Sequence, residues 1–137
     1  RAVTILGYTP DVLVLDPHGL DDILQSIINI AEKVNKANEG HRMVASLQKR
    51  IDYVVKRVSN QANNTVKSPK TKVVWIEWIN PFYTAGHWIP QMVTIAGGIN
   101  GISSRGKPSR LMSIDEIKLF GPDKILLCLV NLICIEP

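Results

Sequence analysis

Residues 38 to 59 place Val44, Leu47, Ile51, Val54 or Val55, and Val58 at steps of three and four, the spacing that lines one face of an α-helix. The other face of this segment is basic. It therefore reads as a long strut lying on the body of the protein, not as a fully buried element. The strut and the linker after it, through residue 72, part the chain in two. Ahead of them, "PDVLVLDP" reads as a short buried strand bounded by Pro10 and Pro17. "GLDDILQSIINIAEKV" follows as a helix with Leu20, Ile23, Leu24, Ile27, Ile28, Ala31 and Val34 on one stripe. Asp21 and Asp22 sit in its first turn, where the helix dipole favours negative charge. "NKAN" breaks the two helices apart.

Beyond the strut, "SNQANNTVKSPKT" has the composition of a linker. "KVVWIEW" is a second strand, apolar enough for a sheet covered on both faces. "NPFYTAGH" reads as a loop. "WIPQMVTIAGG" reads as a helix, with Pro90 in the first turn and a Gly pair as its stop. "INGISSRGKPSR" is another loop. Ser113 and Glu116 form a capping-box pattern that opens a short helix. "GPDK" ends it, and "ILLCLV" is a third strand. Strands alternating with helices in this order predict an α/β fold with a parallel sheet. The 137 residues suit one ordinary domain or a piece of a larger protein.

Charge restricts function only loosely. Sixteen Lys and Arg against twelve Asp and Glu give a net charge of +4, a mild excess that does not by itself indicate nucleic acid. The basic residues are uneven, however. Lys49, Arg50, Lys56, Arg57, Lys67, Lys70 and Lys72 are opposed only by Asp52. They read either as a solvated helix face with its linker or as a strip for nucleic acid or anionic lipid, and no nucleic-acid motif supports the former partner. Cys128 and Cys134 stand too far apart on one straight strand to form a disulfide and read as buried small hydrophobes. The longest apolar run, "ILLCLVNLICI", is too short to span a bilayer and contains Asn131. No signal peptide precedes Arg1, and the chain does not start with Met, as expected of a mature product or a cut fragment.

Candidate chemistry is sparse. "GISSRGKP" nearly spells a phosphate loop, but Pro108 stands where the Mg²⁺-binding hydroxyl belongs and no strand leads into it. His18, His41 and His87 are too scattered for a metal signature. His18 and His87 each follow a strand, and ligands in open α/β sheets bind beyond the carboxyl ends of strands. The loops "DPHG" and "NPFYTAGHW" therefore either share a crevice or His87 merely packs beside Trp88. Glu77 lies inside an apolar strand and needs a partner if buried. No nucleophile–base set assembles.

All three tryptophans fall between residues 75 and 88, around a turn. At "WIEWINPFYTAGHWIPQMVTIAGGIN" the chain resembles the substrate-binding proteins of bacterial and archaeal ABC importers for vitamin B12, iron siderophores and haem, most of all the cobalamin-binding branch. There a strand runs into an "NPP[FY]…G" loop, then a helix, then "GG-x-N". "LDPHGLDDILQSI" is similar to the last strand and helix of that family's first lobe, "RMVASLQKRIDYV" to its bridging helix, and "RLMSIDEIKLFGPDKIL" to the second lobe's docking helix and next strand. The tail "VNLICIEP" does not match cleanly.

The resemblance implies a parallel-sheet lobe with a long bridging helix, like the C-terminal lobe of a helix-linked bilobal periplasmic binding protein. It implies the end of a first lobe at 1–37, bridge and linker at 38–71, and an incomplete second lobe at 72–137, the rest of the first lobe being absent. Trp78, Asn80, Pro81, Phe82, Tyr83, His87 and Trp88 would then be second-lobe ligand contacts, and Asp16 and His18 the first-lobe lip. Asp115, with Glu116 beside it, would dock on the ABC-transporter permease. The ligand would be a cobalamin-like corrinoid, haem or ferric siderophore, bound outside the cytoplasm without catalysis, resident cofactor, metal or nucleic acid. An exposed half-cleft would favour self-association. Two other readings stand beside this: an orphan or truncated relative acting as a non-transport interaction domain, and a small α/β enzyme using Glu77 or His87 as acid–base group.

Overall fold

The computed structural model describes residues 8–64 and 69–128. Two helices come first, α1 (Leu20–Lys33) and α2 (Ala37–Asn64). The turn between them passes through Asn35 in the left-handed region, with φ 57°. Their apolar stripes face each other, and the closest approach is at Gly40. A Cβ on Gly40 would lie 2.4 Å from the Cβ of Ala31, the buried residue of α1.

The sheet has the order β2–β1–β3, with β2 the short strand Phe82–Thr84. Its central strand β1 (Val73–Ile79) pairs in parallel with β3 (Lys124–Leu127), from Val73 opposite Lys124 to Ile76 opposite Leu127. The parallel α/β core expected from the alternating elements is therefore present. Alternation along β1 sends Val74 and Ile76 to one face, where they pack on Met112 with Phe82, Ile102, Ile117 and Phe120 around them. On the other face Val73 and Trp75 border Met92 and Val93 of α3 (Ile89–Ile95). The last helix, α4 (Ile114–Phe120), supplies Ile117 and Phe120 to the first face. The capping box read from the sequence is formed: Ser113 Oγ accepts from the Glu116 N–H, and the Glu116 carboxylate accepts from the Ser113 N–H.

Four expectations change. "PDVLVLDP" is not a strand: Val14 is 81% exposed, and no described strand lies beside the segment to complete a ladder. A strand's backbone groups need that partner, whatever the side-chain propensity. The aromatic turn is not all loop, because Phe82–Thr84 forms β2, antiparallel to β1. The linker starts later than its composition implies. α2 continues through Asn64, because propagation adds a backbone hydrogen bond per residue and no Gly or Pro interrupts residues 59 to 64. Finally, Cys128 is exposed, not buried, since it follows an edge strand whose residues are exposed on both faces. Cys134 and the remainder of "ILLCLV" after Cys128 lie outside the described residues.

The contact at Gly40 yields a prediction whose sign opposes helix propensity. Replacing a helical glycine by alanine ordinarily stabilises, by up to about 1 kcal/mol in a helix interior. Here the added methyl collides with a methyl fixed to the α1 backbone, and such overpacking costs about 1–3 kcal/mol. Gly40→Ala is expected to lower the urea midpoint, and adding Ala31→Gly is expected to recover part of the loss. A Gly40→Ala protein more stable than the parent would show that the helices are not in contact there.

Candidate ligand-binding site

The site is built on the loop after β1. Asn80–Pro81 carries a cis peptide bond at the hairpin turn, and Trp78 pairs across the strands with Tyr83. Directly paired residues project to the same side of a sheet. Trp78 and Tyr83 thus form one aromatic patch, 41% and 38% exposed. The Trp78 indole N–H donates to the Asn80 carbonyl at 2.7 Å, which fixes the ring beside the turn. Asn80 and Pro81 are exposed at the tip. Phe82 packs against the core on the opposite face.

A second segment runs back along this loop. The N–H of Thr84 donates to the Arg110 carbonyl at 2.9 Å, that of Met112 to the Phe82 carbonyl at 2.9 Å, and that of His87 to the Lys107 carbonyl at 2.6 Å. Gly86 is where the two backbones come closest. A Cβ there would lie 2.3 Å from the Ser109 nitrogen, so only glycine fits. Ser109 ties the crossing: its hydroxyl accepts from the Gly86 N–H at 3.1 Å and donates to the Glu77 carboxylate. Glu77 therefore has the partner that its place in an apolar strand demands.

His87 follows with φ 54°, a left-handed conformation that turns its ring out of the strand direction. Its ring centroid is 5.7 Å from that of His18 and 5.9 Å from that of Trp88. Its Nδ1 is buried with no hydrogen-bond partner among the described residues. His18 arrives from a separate part of the chain. Asp22 accepts the N–H groups of both His18 and Gly19, at 3.0 and 2.8 Å, and Asp16 lies 3.2 Å from His18 Nε2. The start of α1 is held against the loop by the Leu20 N–H donating to Gln91 Oε1 at 3.1 Å and by an Arg105–Asp21 ion pair at 3.3 Å.

The structure thus gathers Asp16, His18, His87 and Trp88, and separately Trp78 with Tyr83. Gln91, Arg105 and Ser109, which position these groups, were not singled out in the sequence, where no local spacing marks a contact across 23 to 84 residues. "GISSRGKP" is not a phosphate cradle. Its Gly106 N–H donates to the His87 carbonyl at 2.9 Å and its Lys107 N–H to Ser104 at 3.2 Å. Among the described residues, no group of three or more His, Cys, Asp or Glu is placed to hold a metal ion, and no helix is long and apolar enough to cross a membrane.

On α4, the two acidic residues differ. The Asp115 side chain is 93% exposed, with Lys118 3.7 Å away. Glu116 is engaged by Arg110 at 2.8 Å as well as by the cap.

No family model matches the chain, and none of the curated proteins matches it in sequence. Its fold is that of part of a periplasmic binding protein. An ABC transporter substrate-binding protein from Listeria monocytogenes EGD-e superposes with a TM-score of 0.70 at 20% identity, over 92% of this chain and 46% of that one. The periplasmic vitamin B12 binding protein BtuF of Vibrio cholerae gives 0.65 at 17% identity, over 92% and 47%. S. aureus IsdE, complexed with heme, gives 0.65 at 20% identity, over 91% and 46%. The chain spans about half the length of these proteins.

The Glu116 carboxyl supplies a pH prediction. The hydrogen bond from Arg110, then that from the Ser113 backbone, hold its pKa below the usual carboxylate range. A depressed folded-state pKa contributes stability above the unfolded value and loses it as pH falls through the folded value. Arg110→Gln is expected to move the Glu116 titration upward, as read from its side-chain carbon shift by NMR. An unchanged titration would mean the ion pair is not formed in solution.

Proposed function

We propose that the chain is part of the substrate-binding component of an ABC importer, and that His18, His87, Trp88, Trp78 and Tyr83 line its ligand cleft. The observation that carries this reading is the meeting of two loops distant in sequence, one before the bridging helix and one after β1, with imidazoles 5.7 Å apart. It occurs in a fold shared with proteins that bind vitamin B12 and heme. Exposed flat rings suit a large rigid chelate, whose broad face offers stacking area. Corrinoids, haem and ferric siderophores all have that form. A further lobe would supply the opposite wall of the cleft, with Asp16 and Asn80 at its rim.

The same reading makes the protein a carrier and not a catalyst. Glu77 is occupied by Ser109, which supports a structural role for that carboxylate. Delivery would follow docking on a permease through Asp115, outside the cytoplasm. Glu116 would serve by holding α4 in shape.

The test uses a complete protein containing this segment, with calorimetry against cyanocobalamin and hemin. Trp88→Ala and Tyr83→Ala are each expected to weaken binding, since a lost aromatic contact is worth about 0.5–1.5 kcal/mol beyond its buried area, roughly a two- to tenfold change. Asp115→Lys is expected to leave affinity unchanged and to slow association with the permease. The assignment of both surfaces fails if the aromatic substitutions are silent while Asp115→Lys abolishes ligand binding.

A further inference from the structure

The solvent face of α2 carries a charged row that neither the fold nor the proposed cleft uses. Arg42, Lys49 and Lys56 recur at seven-residue steps, so their Cα atoms are about 10.5 Å apart along the axis. With Tyr53 they lie within about 60° of one another around the helix, and Val44, Leu47, Ile51 and Val58 lie on the opposite side. Arg50 and Arg57 add a flanking row. All five cations are exposed. Of the five, only Arg42 meets a carboxylate among the described residues, Glu39 at 3.8 Å. Asp52, the other acidic residue of the helix, is at the flank and accepts from Gln48 at 2.9 Å. By contrast Lys33, Arg105, Arg110 and Lys118 are each within 4 Å of an acidic partner. The charge on α2 is concentrated and largely uncompensated.

Tyr53 sits in the middle of the row, 60% exposed. Arg57 lies over its ring at 5.8 Å and donates to its hydroxyl at 3.1 Å. A phenol ring among cations on a straight helix has the amphipathic form favoured at a membrane–water interface.

We propose that this face of α2 binds the surface of an anionic lipid bilayer. A straight row about 21 Å long, from Arg42 to Lys56, meets a planar array of headgroup phosphates without bending either partner. Nucleic acid fits less well. The row lies flat with its inner side packed on α1 and α3, so the helix does not enter a groove, and a lone tyrosine offers no succession of stacking platforms. The inference is independent of the cleft ligand and fails separately from it, since the assay contains no such ligand.

The test is co-sedimentation of the chain with vesicles of phosphatidylcholine alone and of phosphatidylcholine with about a third phosphatidylglycerol, the anionic fraction that raises the surface potential. Binding is expected only to the anionic vesicles. It is expected to disappear near 1 M salt, where the Debye length falls from about 10 Å to about 3 Å. Each cation removed is expected to weaken partitioning about fivefold. The variant Lys49→Gln, Arg50→Gln, Lys56→Gln, Arg57→Gln therefore loses detectable binding, with its helical circular dichroism retained. A control carrying Lys36→Gln, Lys70→Gln, Lys107→Gln and Lys124→Gln has the same net charge and keeps most of it. Equal loss in both variants, binding to neutral vesicles, no binding to either, or displacement of the vesicles by an equal charge of duplex DNA would each overturn the proposal.

Discussion

The arrangement of the site depends on one piece of backbone pairing, that between residues 82 to 87 and residues 107 to 112. β2 alone is three residues long, and a hairpin of that size is not stable by itself. The returning segment gives it a second partner, through the bonds from Thr84, Met112 and His87 and the bridge between Tyr83 and Leu111. Gly86 permits the close crossing and Ser109 joins it to Glu77 on β1. The rings on either side of that crossing, exposed Tyr83 before and half-buried His87 after, are positioned by the hydrogen bonds of the crossing. Rings held in this way are available to a ligand without first being rearranged.

Much of this was legible in the sequence, for reasons that differ by element. α1 and α2 were readable because their apolar stripes have the helical period over many residues. The Ser113–Glu116 cap was readable because its two partners are three residues apart and its geometry is local. β1 and β3 showed as apolar runs of strand length. β2 was missed because three residues carry no period, and its pairing depends on a segment 25 residues further on. The strand expected at "PDVLVLDP" failed for the reverse reason. Its propensity was right, but propensity does not supply the neighbouring ladder that a strand requires.

The candidate site divides along the same line. The residues around the aromatic turn could be marked because tryptophan, histidine and proline are conspicuous there, and the resemblance to a binding-protein family grouped them. What the sequence did not contain was their facing. Phe82 and Tyr83 are adjacent, yet one enters the core beside Val74 and Ile76 and the other stays at the surface. That partition follows from strand alternation once β2 is known to exist. Nor did spacing indicate that His18 and His87 would meet, since the contact rests on Gln91 and Arg105 holding the start of α1.

α1 is secured at its two ends by different means. Near its far end Ala31 sits against Gly40, with no room for an additional atom, while its beginning is held by the side chains of Leu20, Ile23 and Leu24 beside Leu47, Ile51 and Met92, one hydrogen bond and one exposed ion pair. Side chains can yield where a backbone-to-methyl contact cannot, so α1 tilts about the Gly40 end as a lever does. From Ala31 back to His18 is 13 residues, an arm of about 20 Å, so a tilt of about five degrees around that pivot carries His18 through roughly 1.7 Å. The gap between the two imidazoles therefore magnifies a small tilt of α1, and the fit of Ala31 on Gly40 bears on a distance some 20 Å away.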